Sequence, residues 1–91
     1  MELKVVNRTE KSLEVEFVGE RDTLLNLLKV RLLQDPKVEV ATYVTEHPIL
    51  AHPRLVLHVK SGRPEAALKS AAAGLRKELD GFEDAFLKAL Q

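Results

Sequence analysis

Along this chain the spacing of apolar residues switches from two to about 3.6, back to two, and again to a helical repeat, and that order leaves few ways to fold. Residues Glu2 to Arg8 carry Leu3 and Val5 on one side, and Ser12 to Val18 alternate Leu13, Val15 and Phe17 with Ser12, Glu14 and Glu16. Both stretches read as strands joined by Thr9-Glu10-Lys11. Gly19 ends the second strand, and Asp22 or Thr23 can offer an oxygen to the free N–H groups that open a helix, predicted from about Arg21 to Gln34. Leu24, Leu25, Leu27, Leu28 and Leu32 fall within an arc of roughly 160°, whereas Val30 and Leu33 lie beyond it. One buried face does not account for so many leucines.

Asp35-Pro36 stops that helix, because the residue before a proline is pushed out of the helical region. Val38, Val40, Thr42 and Val44 then share one side of a third strand, with Ala41 and Tyr43 on the other, and Leu55, Leu57 and Val59 line a fourth. Two prolines, Pro48 and Pro53, constrain the loop between these strands. Ser61-Gly62-Arg63-Pro64 opens a second helix, with Pro64 suited to its first position. Leu68, Ala72, Leu75, Leu79, Phe82, Phe86 and Ala89 recur at spacings of four and three, the seam by which one helix packs along another. A single helix from Pro64 to Leu90 would extend about 40 Å at about 1.5 Å per residue and overhang its own sheet. Gly74 and Gly81 each weaken such a helix, which suits a bend or the close approach of another backbone. The simplest arrangement is a two-layer α+β domain over residues 1–91, ββαββα, with a four-stranded antiparallel sheet and both helices on one face.

Composition removes several function classes. Fourteen Lys and Arg balance fourteen Asp and Glu, so no excess positive charge is present to condense on phosphates or an anionic membrane, and autonomous nucleic-acid binding is not expected. The absence of cysteine excludes disulfides, thiolate nucleophiles and cysteine-ligated metals. The start, Met1-Glu2-Leu3-Lys4, is no signal peptide, and no apolar window approaches a membrane span, so an intracellular, cytoplasmic location is expected.

Three blocks carry a resemblance. Phe17 to Leu28 includes Glu20, Thr23, Leu24 and Asn26, Leu32 to Val38 includes Asp35-Pro36, and Tyr43 to Leu50 includes His47-Pro48-Ile49-Leu50. In this order and spacing the chain resembles subunit L of archaeal RNA polymerase. Arg21 and Asp22 stand where that family has aspartate then histidine. The resemblance implies a non-catalytic subunit without cofactor, an alpha-like dimerisation domain. It pairs with the larger alpha-like polymerase component, the D subunit, to form the platform on which the catalytic subunits assemble.

The leucines in excess of one face and the overhang both ask for a partner, and they place the interface on Leu24, Leu25, Leu28, Leu32, Leu79, Phe82 and Phe86. Isolated, the chain would use the same surface to self-associate. His47, His52 and His58 fix no ligand geometry by their spacing, so no metal or catalytic site is assigned to them; His47 helps shape the turn before Pro48 and the others sit at surfaces. A small enzyme of the pterin dehydratase type has the same strand and helix order and uses histidines, and is the alternative, although its adjacent catalytic histidines are missing here.

Overall fold

The computed structural model describes residues 1–45, 52–75 and 79–91. The chain runs β1 (Glu2–Arg8), β2 (Ser12–Val18), α1 (Asp22–Leu33), β3 (Val38–Val44), β4 (Arg54–Val59), α2 (Pro64–Ala73) and α3 (Phe82–Ala89). The sheet order is β1-β2-β4-β3, antiparallel at every pairing. Two hairpins therefore meet along β2 and β4, where Leu13 faces Leu57 and Val15 faces Leu55. Alternation places Leu13, Val15, Phe17, Leu55, Leu57 and Val59 on one face, buried beneath the helices. The two-layer α+β architecture is the one that the switches of period imply.

The β3 strand departs from its expected pattern. A register shift between Val38 and Val40 marks a β-bulge, and one extra residue exchanges the faces of everything beyond it. Val38 and Ala41 are buried and Tyr43 packs against the core, while Val40 and Val44 are 41% and 38% exposed. Val38 thus does not share a side with Val40, Thr42 and Val44.

The α1 helix begins without the expected side-chain cap: Arg21 is the N-cap and makes no such bond. Asp22 is the first helical residue, favourable beside the positive dipole end, and its Oδ1 accepts a hydrogen bond from the Thr45 hydroxyl at 3.0 Å. That contact ties the start of α1 to the end of β3.

The expected long second helix is divided into α2 and α3. One continuous helix over these residues would run about 40 Å. Instead Gly81 takes φ +80°, a left-handed value suited to glycine, and α3 turns back over β1. The three helices tile one face of the sheet, α1 over β3, α2 over β4 and β2, and α3 over β1.

Candidate interaction surface

Six of the seven residues that the sequence assigns to an interface are inside the folded chain. Leu25, Leu28 and Leu32 point from α1 into the core, and Leu24 is half-buried against it. Leu79, Phe82 and Phe86 are also buried, which corrects the expectation that Phe82 and Phe86 project past the sheet. The reason is the turn at Gly81. With α3 folded back, the Phe82 ring stacks on Phe17 at 6.2 Å between centroids and on Phe86 at 5.5 Å. An unpartnered strip on β1 and β2 takes the aromatic side chains that an overhanging helix would have offered outward.

What α1 presents outward is a different set. Thr23, Asn26, Leu27, Val30, Leu33 and Gln34 occupy the side opposite the core leucines, and all are exposed. Leu27, Val30 and Leu33 are 38%, 48% and 53% exposed, a run of large apolar side chains on one short helix. None of these six side chains is charged, and the exposed Asp22 stands at the N-terminal edge of the face, where it is bonded to Thr45. The helix does carry Lys29 and Arg31, but both are drawn to its flanks. The Lys29 ammonium lies 5.8 Å from the centroid of the Tyr43 ring, a cation–π contact that pulls it toward β3. The Arg31 guanidinium lies against Gly74 at the end of α2, where a Cβ would collide with it. Depletion of charge around exposed aliphatic side chains is the composition of an interface centre.

The face continues into a cleft of about 460 Å³ at the N-terminal end of α1, lined by Gly19, Glu20, Arg21, Thr23, Leu24 and Leu27. Thr23, Leu24 and Asn26, three of the residues carrying the resemblance, lie on or beside this surface. Val30 and Leu33 were legible as lying beyond the core arc. Leu27 was not, because at the rim of a leucine-rich arc only the position of the neighbouring strand decides which side chain is covered.

The histidines are not brought together into a site. His52 Nδ1 accepts a hydrogen bond from the Gly19 N–H at 3.1 Å, which fastens the β4 entry to the turn after β2. His58 is exposed on β4 beside Ser12 and Val40. His47, with the Pro48-Ile49-Leu50 part of the resemblance, lies outside the described residues. Among the described residues no group of three or more His, Asp or Glu is placed to hold a metal ion, and no helix is long and apolar enough to cross a membrane.

Residues 12–85 match the family model of the RNA polymerase Rpb3/Rpb11 dimerisation domain. The chain belongs to this family. The DNA-directed RNA polymerase subunit Rpo11 of Methanosarcina acetivorans is 43% identical over 89 residues, covering 98% of this chain and 97% of that relative. Subunit Rpo11 of Methanothermobacter thermautotrophicus is 38% identical over 80 residues, covering 88% of this chain and 92% of that relative. The crystal structure of DNA-directed RNA polymerase subunit L from Thermoplasma acidophilum superposes with a TM-score of 0.74 at 34% identity, covering 94% of this chain and 85% of that one. Between the two functions left open by the order of strands and helices, the family decides for the polymerase subunit over the dehydratase. As a dimerisation domain of the Rpb3/Rpb11 type, the chain has its chemistry in surfaces rather than in a catalytic pocket.

Proposed function

We infer that this chain is the small alpha-like subunit of an archaeal RNA polymerase and works in the cytoplasm. It pairs there with the larger alpha-like component, the D subunit, to make the platform on which the catalytic subunits assemble. The observation that carries this reading is the uncharged outer face of α1, with Leu27, Val30 and Leu33 exposed in a domain whose family is defined by dimerisation. These three side chains are already about half covered by their own chain, so a partner helix that buries the rest gains roughly half of the 1.5–3 kcal/mol that full burial of such a side chain is worth. The role is non-catalytic: the chain contributes shape and apolar surface, and a stable pair of this kind buries on the order of 2,000 Å² or more.

Co-expression with the alpha-like subunit of the same genome tests this. The wild-type chain is expected to give a one-to-one complex by size-exclusion chromatography with light scattering. Leu27→Asp combined with Leu33→Asp is expected to keep the isolated fold, since both side chains are already exposed, and to lose the complex. A wild-type chain that stays unpaired at micromolar concentration would defeat the reading, and a double variant that pairs normally would move the interface off α1.

A further inference from the structure

The C-terminal end of α1 and the body of α2 leave a groove between them that borders the pairing face at Gln34. It consists of two adjoining cavities of about 290 and about 180 Å³, which share Asp35, Ala67 and Ser70. Arg31 and Gln34 line one end, and Lys37 and Arg63 line the other. Neither Arg31 nor Lys37 takes part in an ion pair among the described residues. Arg63 gives an N–H to Glu65, which leaves the other donors of its planar fork open. Lys11 adds a cation beside the second end, where its Nζ donates to the Gly62 carbonyl at 3.2 Å. Between the two ends stands Asp35, whose Oδ1 accepts the Lys37 backbone N–H at 2.9 Å. Charge therefore runs positive, negative, positive along the groove.

Each end offers a carboxylate a charge-assisted hydrogen bond, and the middle repels one. The stretch of α2 from Ala66 to Ala71 that lines the groove runs about 7.5 Å along the helix axis, a distance that an extended chain covers in two to three residues. In such a chain every second side chain points the same way, about 6.7 Å from the last, and the one between points to the other side. We propose that this groove docks an extended acidic segment of a second protein, with Asp or Glu at alternate positions, one carboxylate on Arg31 and the next on Lys37 and Arg63. The residue between them is uncharged and turned away from Asp35. The small side chains of Ala67, Ser70 and Ala71 let a peptide backbone come close, whereas no aromatic ring lines the groove to stack a base. The inference rests on the assembly role proposed above only for the source of the segment, a protein that joins the pair and has the groove within reach where the α1 face ends.

Two peptides of one composition test the spacing, acetyl-Ser-Glu-Ser-Glu-Ser-amide and acetyl-Ser-Glu-Glu-Ser-Ser-amide. Each is titrated into the isotope-labelled wild-type chain at ~20 mM salt, where screening is weak, and followed by the amide shifts in NMR. The alternating peptide is expected to shift the amides of Gln34, Lys37, Gly62, Arg63 and Ser70. It should bind about fivefold more tightly than the adjacent one, the worth of one exposed ion pair. Arg31→Gln at one end, or Lys37→Gln with Arg63→Gln at the other, should abolish that preference while leaving the fold in place, since all three side chains are exposed. Equal binding of the two peptides, shifts scattered beyond the groove, or no saturation by ~10 mM peptide overturns the docking. Thymidine trinucleotide, which carries two phosphates, is titrated in the same way, and tighter binding than the alternating peptide would assign the groove to nucleic acid and overturn it too. None of these titrations involves the alpha-like subunit, so the groove and the pairing stand or fall separately.

Discussion

Glu65 shows how much one side chain at an element boundary can join. It sits in the first turn of α2, where its charge suits the helix dipole, and its Oε2 accepts from Arg8 Nη2 at 3.2 Å and from Arg63 Nη2 at 3.3 Å. The end of the edge strand β1 is thereby fastened to the start of the helix that follows β4. Burial pushes the carboxyl up, but the hydrogen bond from its own backbone N–H, those from Arg8 and Arg63, and the charge of Arg63 outweigh it and hold the pKa below the usual carboxylate range. A carboxylate whose pKa is lower folded than unfolded stabilises the protein above its unfolded pKa and loses that contribution as pH falls through the folded one. Both arginines are largely exposed, so solvent screens the pair and its worth is at most about 1 kcal/mol. Glu65→Gln is expected to lower the melting temperature by a few degrees at pH 7, roughly 4–8 °C per kcal/mol for a domain of this size. The gap between variant and wild type should close as the pH is taken below 4, and a gap that is constant from pH 7 to pH 3 would show that the charge contributes nothing. The glutamate's place at a helix start is legible in Pro64-Glu65, whereas its arginine partner on β1, 57 residues away, appears only when the hairpins close.

At the scale of elements, α3 and β3 behave differently from their sequence patterns for one reason: each is governed by what lies across from it. The seam from Leu68 to Ala89 specifies helix, but it does not specify whether the second half runs on or returns, because a helix with an apolar stripe satisfies itself against any apolar surface within reach. The Leu3 and Phe17 strip is within reach. Phe86, fully buried in contact with Phe82, is therefore part of the core of the isolated chain, and Phe86→Ala is expected to cost about 3–5 kcal/mol. Against a total stability of about 5–15 kcal/mol, this should lower the melting temperature by more than 10 °C in circular dichroism. A variant that melts with wild type would place α3 off the sheet even in the free subunit. The β3 bulge is a similar case. Val38, Val40, Thr42 and Val44 look equivalent in a period-two pattern, yet the slip after Val38 puts Val38 inside and turns the rest to the open face of the sheet.

For the whole molecule, a balanced charge and a single covered sheet face define what kind of part this is. On the open face the Arg54 Nη1 donates to Glu14 Oε2 at 2.6 Å, pairing charges rather than gathering cations. With net charge zero and four aromatic residues, neither counterion release nor base stacking is provided for, so the isolated chain is expected to show no tight binding to short duplex DNA at about 150 mM salt. A fluorescence anisotropy titration that saturates at nanomolar protein, with a steep salt slope, would contradict this. The amino-acid sequence by itself determined the four strands, the first helix, the start of the second and the two-layer class, because period two, period 3.6, the stops at Gly19 and Asp35-Pro36 and the helix start at Pro64 are local properties of the backbone and its nearest neighbours, whereas the division of the second helix was not among them. It also carried the blocks that mark the family. Only the tertiary structure decided which apolar side chains remain outside. Leu25 and Leu27 are chemically the same residue two positions apart on one helix, and one is fully buried while the other faces water, because exposure depends on where β3, β4 and α2 come to lie against α1. The interaction surface is what the core leaves uncovered, and that remainder exists only after the elements have packed.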